Sequence, residues 1–568
     1  MLPIIDVKEL VVSFGETDVV KSVSFDIMPG ETLGIVGESG SGKSVTSLSL
    51  MRLLDNSGSI RSGIISYRNK KNEQLIINRL SENQMRALRG ADMAMIFQEP
   101  MTSLNPVLRC GQQVMEAIRV HNKISRKEAR ERTLALFEKV RLPRARQIID
   151  AWPHQLSGGQ KQRVMIAMAI SCNPRLLIAD EPTTALDVTV QKEILELLLG
   201  LQEEYGMSMI FITHDLGVTT DIAHRVLVMH QGEVVESGKT NDLFSHPSHP
   251  YTKGLIACRP PVNNRLRRLP VVSDFLSGNC NILEQEENTI SKHQREEHHK
   301  QLYAGDPLMR VEGLSKIYEQ SGGWRKHKIT AVDQVSFEVY AGETLGLVGE
   351  SGCGKTTLGR CLLRLIEPSQ GRIWFDGQEI TAMNPSTLRT IRKSMQIVFQ
   401  DPYSSLNPRM SIGDAISEPM RVHGLYRNRS ACKKRMEDLL TQVGLPISSA
   451  GRLPHEFSGG QRQRIVIARA LAVNPRFLIC DESVSALDVS VQAQILNLLN
   501  DLKKENGLTY IFISHDLSVV KYMSDRMLVM NRGRIEESGD PDQIFAFPTS
   551  PYTSKLIDAI PGKANSYK

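Results

Sequence analysis

Nowhere does this sequence sustain about 20 consecutive apolar residues, the length that a membrane-crossing helix requires. Its best apolar runs, such as 194–201, carry charge and have helical spacing, so the chain is not expected to span a membrane itself. Cysteine is sparse: eight residues stand at 110, 172, 258, 280, 353, 361, 432 and 480, with no C-x-x-C pair and no metal-ligand spacing. That scatter argues against a disulfide scaffold or zinc module and fits a reduced, cytosolic setting. The opening M-L-P-I-I-D-V-K-E-L lacks a basic segment followed by a long apolar run, so it reads as a first strand rather than a secretory signal. Charge of one sign is also missing. A net +6 over 568 residues does not demand nucleic acid, although it allows docking near an anionic membrane surface. What is present is ordinary for a globular protein, with 41% hydrophobic and 23% charged residues, and the length calls for at least two domains.

An internal repeat organises the chain. Nearly every notable segment returns about three hundred residues downstream: L-S-G-G-Q at 156–160 returns as F-S-G-G-Q at 457–461, and the interval from Ser157 to Ser458 also separates Asp180 from Asp481 and His214 from His515. Lys43 and Lys355 lie farther apart than that. The first half therefore holds a local insertion, assigned to an enlarged hairpin tip around the polar run R-N-K-K-N-E-Q at 68–74. Each half opens with short alternating strands, runs through a β-branched, leucine-rich strand into a glycine-rich turn, and then into a helix. From about 105 to 150 and again from about 408 to 450, apolar residues recur three and four apart, predicting a helical subdomain inserted in each α/β core. Between the halves, 263–306 is rich in charge and poor in aromatic residues. It is expected to be a solvated linker, in part helical. His293, His298 and His299 within it could bind a metal or simply belong to a polar linker.

The turns read G-E-S-G-S-G-K-S at 37–44 and G-E-S-G-C-G-K-T at 349–356. In this pattern glycines permit a tight backbone, successive N–H groups cradle phosphate oxygens, the lysine neutralises terminal phosphates and the hydroxyl ligates Mg²⁺. Those roles fall to Gly37, Glu38, Ser39, Gly40, Ser41, Gly42, Lys43 and Ser44, and to Gly349, Glu350, Ser351, Gly352, Cys353, Gly354, Lys355 and Thr356. Asp180 and Asp481 end buried apolar strands and would hold Mg²⁺, while Glu181 and Glu482 beside them would act as bases on an attacking water. A strand-end pair of carboxylates could instead be structural, but here it occurs twice, each time upstream of a histidine in I-F-I-T-H-D or I-F-I-S-H-D. Cys353 sits where a helix start could depress its pKa and make a redox switch; alternatively it is a small residue that fits the turn.

The order of phosphate loop, Gln, S-G-G-Q, D-E, A-L-D and His, present twice, resembles two fused ATP-binding-cassette ATPase domains. The resemblance implies an α/β fold of two tandem P-loop NTPase domains, over 1–262 and 307–562, each a RecA-like core with an antiparallel β-subdomain and the helical insert. It implies that Gln98 and Gln400 are Q-loop residues that also face the Mg²⁺. Ser157, Gly158, Gly159 and Gln160, with Ser458, Gly459, Gly460 and Gln461, would be the signatures, Asp187 and Asp488 the D-loops, and His214 and His515 the switch histidines. Adenine would stack on Phe14 in the first half and Tyr318 in the second. In the family, two cassettes pair head to tail, so the signature of one half would face the ATP held by the other.

Q-E-P-M-T-S-L-N-P at 98–106, Q-D-P-Y-S-S-L-N-P at 400–408, H-P-Y-T at 249–252 and S-P-Y-T at 550–553 are similar to the ATPases of bacterial oligopeptide, dipeptide, glutathione and microcin-type importers. That likeness implies ATP hydrolysis powering import, with two membrane permease subunits, a separate solute-binding protein, no nucleic acid, and a peripheral position on the cytoplasmic face of the inner membrane. Relatives place a cysteine-rich tail after H-P-Y-T; with Cys258 and Cys280 far apart, no iron–sulfur cluster is expected. The alternative is a tandem-cassette translation factor on the ribosome, which resembles a pattern with a long, strongly basic helical linker.

Overall fold

A computed structural model describes residues 2–98, 103–184, 186–278, 288–322, 325–426, 428–485 and 487–562. Within them two compact units form, one from 2–256, 272–278 and 561–562, the other from 257–271 and 288–560.

In the first unit, β1 (Ile5–Phe14) and β2 (Thr17–Ile27) make an antiparallel hairpin. β3 (Thr32–Val36) is buried at every position, as a strand covered on both faces must be. β4 (Gly58–Arg68) and β5 (Gln74–Ile76) complete an antiparallel sheet in the order β2-β1-β4-β5. β6 (Met93–Ile96), β7 (Leu176–Asp180), β8 (Ser208–Thr213) and β9 (Arg225–His230) run parallel with β3, and β10 (Glu233–Lys239) returns antiparallel at the edge, giving β10-β9-β3-β8-β7-β6. Side chains alternate across this sheet. Leu33, Ile35, Ile178, Ile210 and Ile212 join the core under the antiparallel sheet, whereas Leu177, Ala179, Met209 and Phe211 join the helices Cys110–His121, Arg126–Lys139, Gly158–Ile170 and Val188–Tyr205. The parallel sheet is thus clamped between two apolar cores, with its carboxyl ends free to carry the loops that matter.

The second unit repeats this plan. β11 (Pro307–Gly322), β12 (Arg325–Tyr340), β14 (Gln370–Phe375) and β15 (Gln378–Glu379) build the antiparallel sheet, and β16 (Met395–Val398), β17 (Phe477–Asp481), β18 (Thr509–Ile513), β13 (Thr344–Val348), β19 (Arg526–Asn531) and β20 (Arg534–Gly539) the mixed one, in that order. The insertion in the first half falls where the polar run lies. The β4–β5 connection is 69–73 where the β14–β15 connection is 376–377, and β4 spans 11 residues against six in β14. The tip is exposed from Lys70 to Gln74 but tied to the unit at its base, with Asn69 buried and Lys70 N donating to Asp92 Oδ2 at 3.0 Å.

The segment 263–306 departs from the solvated linker expected of it. Parts of it pack on the second unit, burying Leu266 and Leu269 and forming the helix Lys292–Leu302. Arg265 donates to the carbonyl of Lys521 near the end of the helix Leu517–Met523, and Arg295 lies 3.0 Å from Asp540 and also pairs with Asp542. Charge explains the choice of surface. Leu33↔Arg225 and Leu345↔Arg526 are matched pairings, as are Gly238↔Val226 and Gly539↔Met527. Asp525, Asp540 and Asp542 therefore stand where the first unit has His224, Lys239 and Asn241. His298 and His299 face Asp525 and Asp540, and among the described residues no group of three or more His, Cys, Asp or Glu could hold a metal ion.

Asp525 accepts from Thr344 N at 2.8 Å and Lys503 Nζ at 3.0 Å. Burial alone would raise its pKa, but Lys503, His298 and the Thr344 N–H outweigh burial and hold the carboxyl far below the usual carboxylate range. A depressed carboxylate contributes stability above its unfolded pKa, near ~3.9, and loses it as pH falls toward the folded value. Asp525→Asn should therefore cost about 3–5 kcal/mol at pH 7 by leaving Lys503 uncompensated. Urea midpoints of parent and variant should converge as pH drops below about 4.

Candidate functional site

Each glycine-rich turn is shaped by contacts that only glycine allows. A Cβ on Gly37 would stand 2.2 Å from the Met229 carbonyl oxygen, and one on Gly349 would stand 2.1 Å from that of Met530; both residues have φ of 152°. The turn ends at Gly42 and Gly354, in left-handed conformation, immediately before the helices Lys43–Met51 and Lys355–Leu362. Open N–H groups at a helix start, on a loop with no side chain at its glycines, form a cradle for an anion. Lys43 is 5% exposed and donates to the carbonyls of Gly37 (2.8 Å) and Glu38 (2.7 Å). Lys355 does the same with Gly349 (2.7 Å) and Glu350 (3.0 Å).

The carboxyl end of the sheet meets this turn. Ser44 Oγ donates to Asp180 Oδ1 at 3.1 Å, and Thr356 Oγ1 to Asp481 Oδ1 at 3.0 Å. Glu181 and Glu482 follow with φ of 47°, a left-handed step that takes each out of its strand while its N–H still reaches the Ile212 or Ile513 carbonyl at 2.9 Å. Such a conformation in a residue with a Cβ costs roughly 1–2 kcal/mol and clusters where function holds it. Around Glu181 converge Gln98 Nε2 (3.1 Å), Thr184 Oγ1 (2.8 Å) and His214 Nδ1 (3.2 Å). Around Glu482 converge Gln400 Nε2 (2.7 Å), His515 Nδ1 (3.5 Å) and, farther off, Lys355 Nζ (3.9 Å). Thr184 was not singled out in the sequence; its counterpart Ser485 turns instead to the Glu482 carbonyl at 2.9 Å.

These surroundings separate two adjacent carboxylates. Burial pushes Asp180 up to about 6, with Ser44 opposing and Glu181 adding to the rise. Burial acts on Glu181 as well, but the hydrogen bond and charge of His214 and the Thr184 hydroxyl outweigh it and bring the group down to about 2. In the second unit the directions are the same: burial raises Asp481, and His515, Lys355 and Gln400 overcome burial to lower Glu482. A glutamate that stays ionised beside a hydroxyl–aspartate pair presents carboxylate oxygens that can orient a water, and the pair offers hard oxygen ligands.

The remaining predicted residues lie outside these clusters. Ser157 and Ser458 are exposed N-caps of the helices Gly158–Ile170 and Gly459–Leu471, each accepting from the glutamine of its own S-G-G-Q, Gln160 or Gln461. Asp187 caps Val188–Tyr205 through Thr189 and Val190, and Asp488 precedes Val489–Asn506. Phe14 and Tyr318 occupy one register: Val12↔Val20 with Phe14↔Thr17 in one unit corresponds to Lys316↔Val332 with Tyr318↔Ile329 in the other. Tyr318 is 39% exposed, with Lys316 Nζ 5.2 Å from its ring centroid. Residues 99–102 of the segment after Gln98, Ala185 of A-L-D, and Cys280 fall outside the described residues. One contact went unread in the sequence. The tyrosines of H-P-Y-T and S-P-Y-T place their hydroxyls against the glycine-rich turns, accepting from Glu38 N and Glu350 N at 3.0 Å.

The family model described as "ABC transporter" matches residues 20–184 and 332–485, and that described as "Oligopeptide/dipeptide transporter, C-terminal region" matches 235–278 and 537–568. The chain belongs to the ABC transporter family, as a tandem pair of ATP-binding cassettes of the peptide-import type, an ATPase with a P-loop core. It is 48% identical over 575 residues to the glutathione import ATP-binding protein GsiA of Pectobacterium atrosepticum, spanning 99% of this chain and 90% of that protein. The GsiA of Salmonella choleraesuis is 50% identical over 555 residues, spanning 96% and 87%. A dimeric ATP-binding cassette solved in a post-hydrolysis state with ADP and Pi aligns with 41% of this chain and 99% of that one, at 28% identity and a TM-score of 0.38.

At Cys353 the structure favours the small residue that fits the turn over the redox switch. A helix start could have depressed its pKa, yet the thiol is buried and burial pushes it up, with Lys355 opposing too weakly to reverse the direction. A protonated, enclosed thiol is a poor nucleophile. Mild peroxide is therefore expected to change the ATPase rates of the parent and of Cys353→Ser to the same extent; inhibition of the parent alone would restore the redox reading.

Proposed function

We propose that the two clusters are two hydrolytic ATP sites, and that their turnover powers uptake of glutathione or a related short peptide. The observation that carries the hydrolytic reading is the duplicated setting of Glu181 and Glu482, each met by a Gln and a His from separate loops. In this reading the N–H groups of 40–44 and 352–356 cradle the phosphates. Lys43 and Lys355, each with three N–H donors, keep the Gly37 and Gly349 carbonyls and add a phosphate oxygen, and Phe14 and Tyr318 offer ring faces to adenine. Ser44, Asp180 and Gln98, and likewise Thr356, Asp481 and Gln400, form an all-oxygen donor set that suits Mg²⁺. Bound there, Mg²⁺ would neutralise phosphate charge. Glu181 and Glu482 then orient a water and take its proton, while His214 and His515 keep each carboxylate in position. The exposed S-G-G-Q segments beginning at Ser157 and Ser458 are assigned as the signatures, and Asp187 and Asp488 as the D-loop residues.

The GsiA relatives are import proteins by name, which favours transport over the ribosomal alternative. Accordingly we assign as partners two membrane permease subunits and a separate solute-binding protein, on the cytoplasmic face of a bacterial inner membrane. No described helix is long and apolar enough to cross a membrane, so attachment would run through the permeases.

Glu181→Gln combined with Glu482→Gln should still bind ATP but lose steady-state hydrolysis by about 10²-fold or more, the scale of a missing general base; unchanged phosphate release would remove the assignment. In vesicles holding the permeases and this chain, a glutathione-loaded binding protein should raise ATPase above the rate without solute. Equal rates with and without glutathione, alongside stimulation by an unrelated solute, would refute the substrate assignment.

A further inference from the structure

The last segment of each cassette is tied to the phosphate loop through one hydroxyl. On β10, Glu236 accepts from Ser248 N (2.7 Å) and His249 N (3.1 Å); on β20, Glu537 accepts from Thr549 N (2.9 Å) and Ser550 N (3.2 Å). These two-armed clamps hold the start of the helices Pro250–Ala257 and Pro551–Asp558. His249 Nδ1 and Ser550 Oγ then accept from the N–H of Tyr251 and Tyr552. Tyr251 is fully buried and stacks on His230, ring centroids 4.0 Å apart. Both tyrosine hydroxyls end 3.0 Å from a phosphate-loop N–H, that of Glu38 or Glu350.

The peptide so gripped is a particular one. The N–H of Glu38 and the carbonyl of Gly37 belong to the same planar unit, and that carbonyl accepts from Lys43 Nζ. Tyr251 therefore holds one end of the Gly37–Glu38 peptide while the loop lysine holds the other. Tyr552 and Lys355 hold Gly349–Glu350 in the same way. The peptide follows a glycine at φ 152°, in both loops, so no side chain on the preceding residue helps to fix its orientation. Without the hydroxyl, a half-buried N–H loses this acceptor, and turning the peptide over would take the Gly37 carbonyl away from Lys43. Ring packing alone does not account for the arrangement, since phenylalanine would fill the same space.

We propose that Tyr251 and Tyr552 are positioning residues that fix the first peptide of each phosphate loop, so that the C-terminal segment of each cassette sets the nucleotide affinity of its own site. This rests on the reading of the Lys43 and Lys355 loops as ATP sites. The two sites make the test internal. The intact chain is titrated with a non-hydrolysable ATP analogue and Mg²⁺, and KM and kcat are measured with ATP.

Tyr251→Phe should weaken one of two sites and Tyr552→Phe the other, each by about 5- to 30-fold in Kd, the scale of about 1–2 kcal/mol for a lost hydrogen-bond partner. KM should rise while kcat is kept, because the general base is untouched. Glu236→Gln, which loosens the clamp without altering the ring, should weaken the same site as Tyr251→Phe, by less. Parental Kd values in both tyrosine variants would overturn the inference, as would equal weakening of both sites in each single variant, the mark of general loosening. Failure of the parent itself to bind two analogues would instead bring down the ATP-site reading, and the inference with it.

Discussion

Two adjacent carboxylates at the end of a buried strand cannot both ionise at no cost, and each cassette resolves the conflict by giving them different company. Asp180 and Asp481 stay in the strand, where burial dominates and each meets one hydroxyl. Glu181 and Glu482 step out through a left-handed residue into a ring of donors that outweighs burial. The strain of that step is held by the parallel sheet, whose two faces are packed into separate cores. Fold and chemistry thus meet at one backbone position. The donors around the glutamate come from loops after three different strands, so the ring closes only when the whole sheet is in register.

The repeat is faithful where the chemistry needs it and free elsewhere. Lysine, hydroxyl, aspartate, glutamate, glutamine and histidine recur with the same partners in both units. Ser41 is matched by Cys353, Thr184 by Ser485, and His224 by Asp525. The last exchange has a structural consequence. Three aspartates in the second unit, where the first has His224, Lys239 and Asn241, give Arg265 and Arg295 of the intervening segment a surface to dock on. Charge, together with the burial of Leu266 and Leu269, in this way ties these parts of the connecting segment to one copy.

Much of this was legible from residues in order. The glycine-rich turns could be read because the backbone at Gly37 and Gly349 has no room for a Cβ, a constraint that leaves its mark on the sequence itself. The strand-end carboxylates could be read because β7 and β17 are continuously apolar up to them. The docked segment was not, since Arg295 pairs with aspartates, and Arg265 with a carbonyl, more than two hundred positions away, and local charge mixture looks the same whether solvated or paired. The direction of the Cys353 shift depends on burial, which a helix-start argument does not contain. Tyr251 and Tyr552 lay in segments that the sequence used only to narrow the family, and the hydroxyl's partner becomes visible only when the chain has folded back onto its own phosphate loop.

The central claim is that both cassettes are hydrolytically competent. The most direct measurement is the phosphate released per chain in the first turnover, with the assembled chain and permeases loaded with ATP and Mg²⁺ and followed by rapid quench. Two matched glutamate rings predict release of two phosphates per chain in that turnover. Release of a single phosphate, with the second ATP retained intact, would contradict the account.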